Sequence, residues 1–241
     1  MTGRRSSLLD VTKARILPSL QQVYAQLTTV RFSKPALDIL HKELKEMDLK
    51  EESKLTKQFK KMNLNKKVTK LLGLDQTDSF FETAMKIEED IAVMHKGKLV
   101  AICFCFPSGW IPSNELNSDL SKLHAPVADN ELLIKSSEKL AKHMNKQTIR
   151  RWVWNVTTIS NLSNHPNIDR PKIIDFDSLY FRLETQVSTP LDDESSLFLV
   201  KVDVFPLKKV WNEKILESIN SMSESVLKYK NLIEIKNFLN S

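Results

Sequence analysis

The chain has 241 residues, of which 41% are hydrophobic and 27% charged, which is enough apolar side chain for a full core and too much for a disordered polymer. Its basic residues outnumber its acidic ones for a formal net charge of +6, a balance that bears on solubility and nonspecific attraction and does not by itself indicate nucleic acid. Apolar runs stay short of the ~18 residues a membrane helix needs, and no apolar stretch follows Arg4 and Arg5, so neither a membrane span nor a secretory signal is predicted and a cytoplasmic protein is expected.

The first 75 residues read as helical. Apolar positions recur at threes and fours from Leu8 to Leu27 and again from Ala36 to Met47, with Ser33 ahead of the second run, and helical turns continue to Leu74 with Gly73 as a stop. His41 falls inside this pattern as a helix-surface residue. Lys54, Lys57, Lys60, Lys61, Lys66, Lys67 and Lys70 share helical spacings and form a solvated basic face, with a docking surface for an acidic partner as the second reading. The domain organisation predicted is a helical segment, 1–75, packing on a domain formed by 76–241.

From Phe80 onward the pattern changes. Ile91 to Met94 and Leu99 to Phe106 are β-favouring runs separated by His95-Lys96-Gly97-Lys98, a hairpin signal in which glycine supplies positive φ. Cys103 and Cys105 lie two apart in the second strand, on one face, a geometry unsuited to a disulfide between them and too few thiolates for an ordinary iron–sulfur cluster. Pro107-Ser108-Gly109-Trp110 and Leu120-Ser121-Lys122-Leu123-His124-Ala125-Pro126-Val127 then place His124 in a proline-bracketed turn. A histidine with a fixed backbone is a candidate ligand for a metal or heme iron; the plain alternative is a half-buried loop histidine. Leu132 to Met144 reads as an amphipathic helix with His143 near its solvated end.

Three further strands follow, Arg150 to Thr158, Leu179 to Ser188 and Leu197 to Phe205, and the loop between the first two holds His165. Trp211 to Leu239 returns to helical spacing, with Ile215, Ile219, Met222 and Val226 on one side. Antiparallel strands with helices before and after them predict an α+β domain. Only four glycines are present, so no Gly-rich phosphate loop supports a nucleotide site.

Period-two alternation sorts the strand residues. Tyr180, Arg182, Glu184 and Gln186 share one face, and Leu179, Phe181, Leu183 and Val187 the other. Arg151 and Asn155 fall opposite Trp152, Trp154 and Val156, and two tryptophans on one strand call for a large apolar neighbour, either packed helices or a flat cofactor. Arg151 and Glu184, facing each other from neighbouring strands, would form a charged pair. Gly-x-Ser-x-Gly is missing, the five histidines lack zinc spacing, and the lysine-rich region holds mainly Phe59 for base stacking, which argues against nucleic acid.

The order of these motifs carries more than any one of them. Glu89-Asp90-Ile91, Phe106-Pro107-Ser108-Gly109-Trp110, His124-Ala125-Pro126-Val127, Arg151-x-x-Trp154, Tyr180-x-Arg182-x-Glu184-x-Gln186 and the closing strand with Pro206-Leu207 resemble the oxygenase (alpha) subunit of heme-dependent oxidative N-demethylases. The resemblance spans roughly residues 68–232, with departures at Ile111, Val153, Thr185 and Val187. It implies a PAS-like antiparallel sheet of about five strands, flanked by helices and cradling a b-type heme. The activity implied is oxidative removal of a methyl group from a small secondary amine such as dimethylamine. His124 would be the axial ligand, Arg151 and Glu184 would line the reacting pocket, and Trp154 and Gln186 would support it. Electrons would come from separate flavin and iron–sulfur proteins. Two other readings stand beside this one: a noncatalytic heme or small-ligand sensor, and a basic interaction protein.

Overall fold

The computed structural model describes residues 63–111, 115–162 and 164–241. In chain order its elements are α1 (Leu64–Leu72), α2 (Phe80–Ala84), β1 (Asp90–His95), β2 (Lys98–Cys103), α3 (Leu120–His124), α4 (Glu131–Met144) and β3 (Ile149–Thr157). There follow β4 (Tyr180–Asp192), β5 (Ser195–Pro206), α5 (Leu207–Val210), α6 (Glu213–Asn220), α7 (Glu224–Tyr229) and α8 (Ile233–Leu239).

The strands form one antiparallel sheet in the order β2-β1-β5-β4-β3. The β1–β2 hairpin closes where its sequence asks it to: Lys96 and Gly97 take φ of 50° and 76°, the left-handed pair whose twist matches that of antiparallel strands. After the excursion through α3, α4 and β3, the chain returns along β4 and places β5 in the centre, paired with β4 on one side and with β1 on the other.

Helices cover both faces. Ile91, Val93, Cys103, Leu197 and Leu199 form one core layer with Leu64, Val68 and Leu72, the buried stripe of α1 at a spacing of four. Gly73, at φ 68°, ends that helix in the left-handed conformation that costs glycine little. On the opposite face Ala92, Met94, Val200 and Val202 meet Leu120, Leu123, Leu140, Ala141 and Met144 from α3 and α4. A third cluster packs Ile219, Leu227, Leu232 and Ile235 of the C-terminal helices on Val156 and Leu179, with Trp154 and Phe181 at its border.

The α+β expectation holds, and the differences lie at element ends. Strand β4 runs past Ser188 through Pro190 to Asp192, because the proline sits at a register irregularity where a missing N–H is tolerated. The tail is divided into short helices by side-chain caps from Asn212 and Ser223 and by a left-handed Asn231 at φ 55°. Cys103 and Cys105 are buried on the α1 side and remain thiols. The N-terminal helical runs, His41, Lys54, Lys57, Lys60 and Lys61 lie outside the described residues; Lys66, Lys67 and Lys70 are exposed, and Lys67 pairs with Asp192. Among the described residues no helix is long and apolar enough to cross a membrane.

Leu197 is fully buried in the layer beneath α1. Leu197→Ala is expected to lower the unfolding free energy by about 3 kcal/mol through lost burial and the cavity left behind. The check is a fall in denaturant midpoint at unchanged m value, and a loss below about 1 kcal/mol would contradict this packing.

Candidate functional site

Strand β4 exposes its polar side to the face covered by α3 and α4. Cross-strand pairing puts Arg182, Glu184 and Gln186 opposite Val204, Val202 and Val200 of β5, and opposite Asn155, Val153 and Arg151 of β3. Arg182 is only 2% exposed, so its charge has to be met inside the protein. Its Nε donates to Ser108 Oγ at 3.0 Å and lies 3.5 Å from Glu184 Oε1, its Nη2 donates to the Phe106 carbonyl at 3.0 Å, and its Nη1 donates to the Leu162 carbonyl. Ser108 in turn donates to Glu184 Oε1, and Gln186 Nε2 donates to Glu184 Oε2 at 2.9 Å.

Asp90 completes the inner end of this network. Its two carboxylate oxygens accept the backbone N–H groups of Cys105 and Phe106 at 2.7 and 3.0 Å, which holds the start of the Pro107–Trp110 segment against β1. Burial pushes the Asp90 carboxyl up to about 7, against the pull of those two N–H groups and of the Arg182 guanidinium.

His124 stands at the end of α3 on the same side of the sheet. Its helix begins with Asp119, whose side chain accepts the Lys122 N–H at 2.9 Å. Its Nδ1 donates to the Leu120 carbonyl at 2.7 Å, one helical turn back. Asn130 Nδ2 grips the carbonyls of His124 and Ala125, both at 2.9 Å, so the backbone that carries the ring is tied down as well. With Nδ1 protonated, the lone pair lies on Nε2, which has no hydrogen-bond partner among the described residues. Burial, and then the charge of Arg151, lower the pKa of His124 against the raising effect of the Leu120 carbonyl, so the neutral ligand form is favoured.

The last turn of α7 forms the remaining wall. Lys230 Nζ donates to the Trp154 carbonyl at 2.7 Å along the outer edge of β3, and the Lys230 carbonyl accepts from Asn155 Nδ2 at 3.0 Å. Tyr229 is 45% exposed, yet burial and the Glu184 charge raise its pKa. Arg151 shows the same combination, exposed to solvent while desolvation lowers its pKa. Asp129, in the loop after His124, accepts Ser223 Oγ and Ser225 Oγ at 2.6 Å each, which fastens the start of α7 to the His124 loop.

The structure therefore brings His124, Arg151, Glu184 and Gln186 to one face, and it corrects three sequence expectations. His124 ends a short helix rather than occupying a turn, because its ring bonds back to Leu120. Arg151 pairs in register with Gln186, donating from Nε to Oε1 at 2.6 Å, while Glu184 takes Arg182 as its ionic partner; the expected Arg151–Glu184 pair is a longer-range attraction. Trp154 lies on the opposite face, as alternation along the strand predicts, stacked on Phe181 at 5.6 Å between ring centroids. Trp152, 53% exposed, has no large apolar neighbour covering it among the described residues and has the Arg150 guanidinium over its ring at 5.2 Å. Sequence reasoning assigned no roles to Arg182, Ser108, Asp90, Asn130, Tyr229 or Lys230. The alternation of β4 already placed Arg182 with Glu184, and a charge at a position flanked by strand pairs was the signal for it.

The fold is an α+β one in which a five-stranded antiparallel sheet carries a backbone-anchored imidazole beside a polar strand face. The chain belongs to the haem-dependent oxidative N-demethylase, alpha subunit-like family, whose model matches residues 40–239. No curated protein matches it.

Arg182→Met leaves Glu184 and Asp90 without their buried cation, and the expected loss of stability is about 3–5 kcal/mol; a thermal midpoint equal to that of the parent would remove the network from its central role. For His124 the sign follows from a folded pKa below the unfolded value near 6.5. Its contribution to stability is present above pH ~6.5 and is lost as pH falls through the folded value. Removing the nearby charge by Arg151→Gln should move the His124 pKa upward in an NMR titration, and a downward or absent movement would contradict the proximity of the two side chains.

Proposed function

We propose that this chain is a heme-binding oxygenase subunit that removes a methyl group from a small secondary amine, using dioxygen and electrons delivered by separate flavin and iron–sulfur proteins. The observation that carries the reading is the tautomer of His124: Nδ1 spent on the Leu120 carbonyl, Nε2 unspent, and the backbone clamped by Asn130. An axial imidazole needs this support from the groups behind it. The family match supports heme dependence, and the strand order supports a PAS-like cradle.

The residues present fit such a group. His124 would hold the iron through Nε2, Arg151 and Gln186 would flank it on the sheet side, and Trp154 would stiffen β3 from behind. When bound, a heme b supplies the reductive activation of dioxygen, one oxygen atom leaving as water and the other in formaldehyde for two electrons and two protons. Glu184 holds Gln186 in place through Oε2 and accepts the Ser108 hydroxyl through Oε1, so its part is to orient these neighbours. Apolar side chains of α3 and α4 pack on the same face of the sheet. The exposed lysines Lys66 and Lys70 offer an acidic electron donor a place to dock, and the retained thiols of Cys103 and Cys105 accord with a cytoplasmic setting.

A second reading is favoured by one specific observation. Both oxygens of Glu184 are engaged inside the protein, as suits a noncatalytic heme or small-ligand sensor in which the carboxylate only orients neighbours. Formaldehyde release from dimethylamine with a reducing system separates the two.

Purified protein supplied with hemin should develop a Soret band that is lost in His124→Ala. Asn130→Ala should weaken heme affinity roughly 10-fold by loosening the clamp behind the ligand. Protein that stays colourless after expression with added heme would overturn the reading.

A further inference from the structure

The charges of the site do not cancel in the way alternation alone suggests. Glu184, 9% exposed, spends Oε1 on Ser108 and Arg182 and Oε2 on Gln186. It is a poor anchor for a cationic ligand, since an ammonium group would have to displace these partners. Arg151 is in the opposite condition. It forms no ion pair among the described residues, its one hydrogen bond runs from Nε to Gln186 Oε1 at 2.6 Å, and its Nη1 and Nη2 groups are unspent.

This guanidinium is also oriented from behind. Glu184 holds Gln186 by its amide nitrogen, at 2.9 Å, so the amide oxygen must face away from Glu184 and toward Arg151. A run of bonds from Arg182 through Ser108, Glu184 and Gln186 thus fixes Nε of Arg151 and leaves the two-nitrogen fork open to solvent. Such a preorganised fork matches the two oxygens of a carboxylate. Its charge is felt at His124, so a group bound there lies on the ligand side of the sheet.

We propose that the Nη1/Nη2 fork of Arg151 is a carboxylate-binding site, with Gln186 and Glu184 as its positioning residues. The carboxylate comes either from a small N-methyl amino acid bound at this face of the sheet or from a propionate of the heme itself. The identity of the amine rests on the oxygenase reading; the binding of the carboxylate does not.

The test is calorimetry on the full chain with sarcosine and dimethylamine, without heme and after hemin loading, alongside hemin and its dimethyl ester. If the small ligand is the source, sarcosine binds at least ~10-fold more tightly than dimethylamine, and Arg151→Gln and Arg151→Lys abolish that preference, lysine keeping the charge but lacking the fork. If the propionate is the source, hemin binds the parent more tightly than its dimethyl ester does, and both variants erase that difference. Gln186→Leu should weaken either interaction by a smaller factor, because it frees the guanidinium without removing it. The proposal is overturned if Arg151→Gln changes neither the sarcosine preference nor the hemin-to-ester ratio. A protein that binds sarcosine but takes up no heme would sink the oxygenase reading and leave the carboxylate site standing. Unchanged circular dichroism melts confirm that these exposed-site variants fold.

Discussion

The arrangement depends first on the placement of one guanidinium, that of Arg182, inside the sheet. A buried arginine has to satisfy a planar fan of donors at once. Arg182 does so by reaching the carbonyls of Phe106 and Leu162 and the hydroxyl of Ser108, which come from two different loops. Those loops converge on β4 because that is where their polar groups are needed. Gly109 follows with its own backbone bond to Asn164 at 3.0 Å, so the Pro107–Trp110 segment and the loop after β3 are joined directly as well. The anions beside Arg182, Glu184 and Asp90, bring a desolvation cost that attraction only partly offsets. What the cluster supplies is a single register and a single loop arrangement.

From this point order passes outward to the functional face by two separate routes. One runs through Glu184 and Gln186 to Arg151 on the edge strand, each side chain oriented by the one before it. The other reaches His124 from the helical side, through the Leu120 carbonyl and Asn130. The two routes meet at the imidazole, whose pKa is lowered first by burial and further by the Arg151 charge, which favours the neutral ring. Helix α7 is held to the His124 loop by Asp129 and to β3 by Lys230.

Much of the local structure was legible because its causes are local. Lys96-Gly97 had to turn, Gly73 had to end a helix, and the alternation along β4 had to put Arg182, Glu184 and Gln186 on one face. The four residues that share the site face, His124, Arg151, Glu184 and Gln186, were already marked in the sequence as candidates. Less legible were the partners. Arg151 lies one same-face pair away from Glu184 in the β3–β4 register, and that offset decides which acid meets which base. Alternation had already put Trp154 opposite Arg151, but only the fold supplies Phe181 as the ring it stacks on.

By itself the sequence determined the α+β class, the hairpin turn, the faces of the strands and the short set of residues able to do chemistry, since each follows from periods of two or 3.6 and from backbone preferences. Only the tertiary structure decided which charges cancel and which remain open. Ser108 and Glu184 are 76 positions apart, and nothing near either announces the other. Their bond exists because burial of Arg182 leaves no water to solvate it, and a desolvated charge takes whatever partners the fold brings within reach.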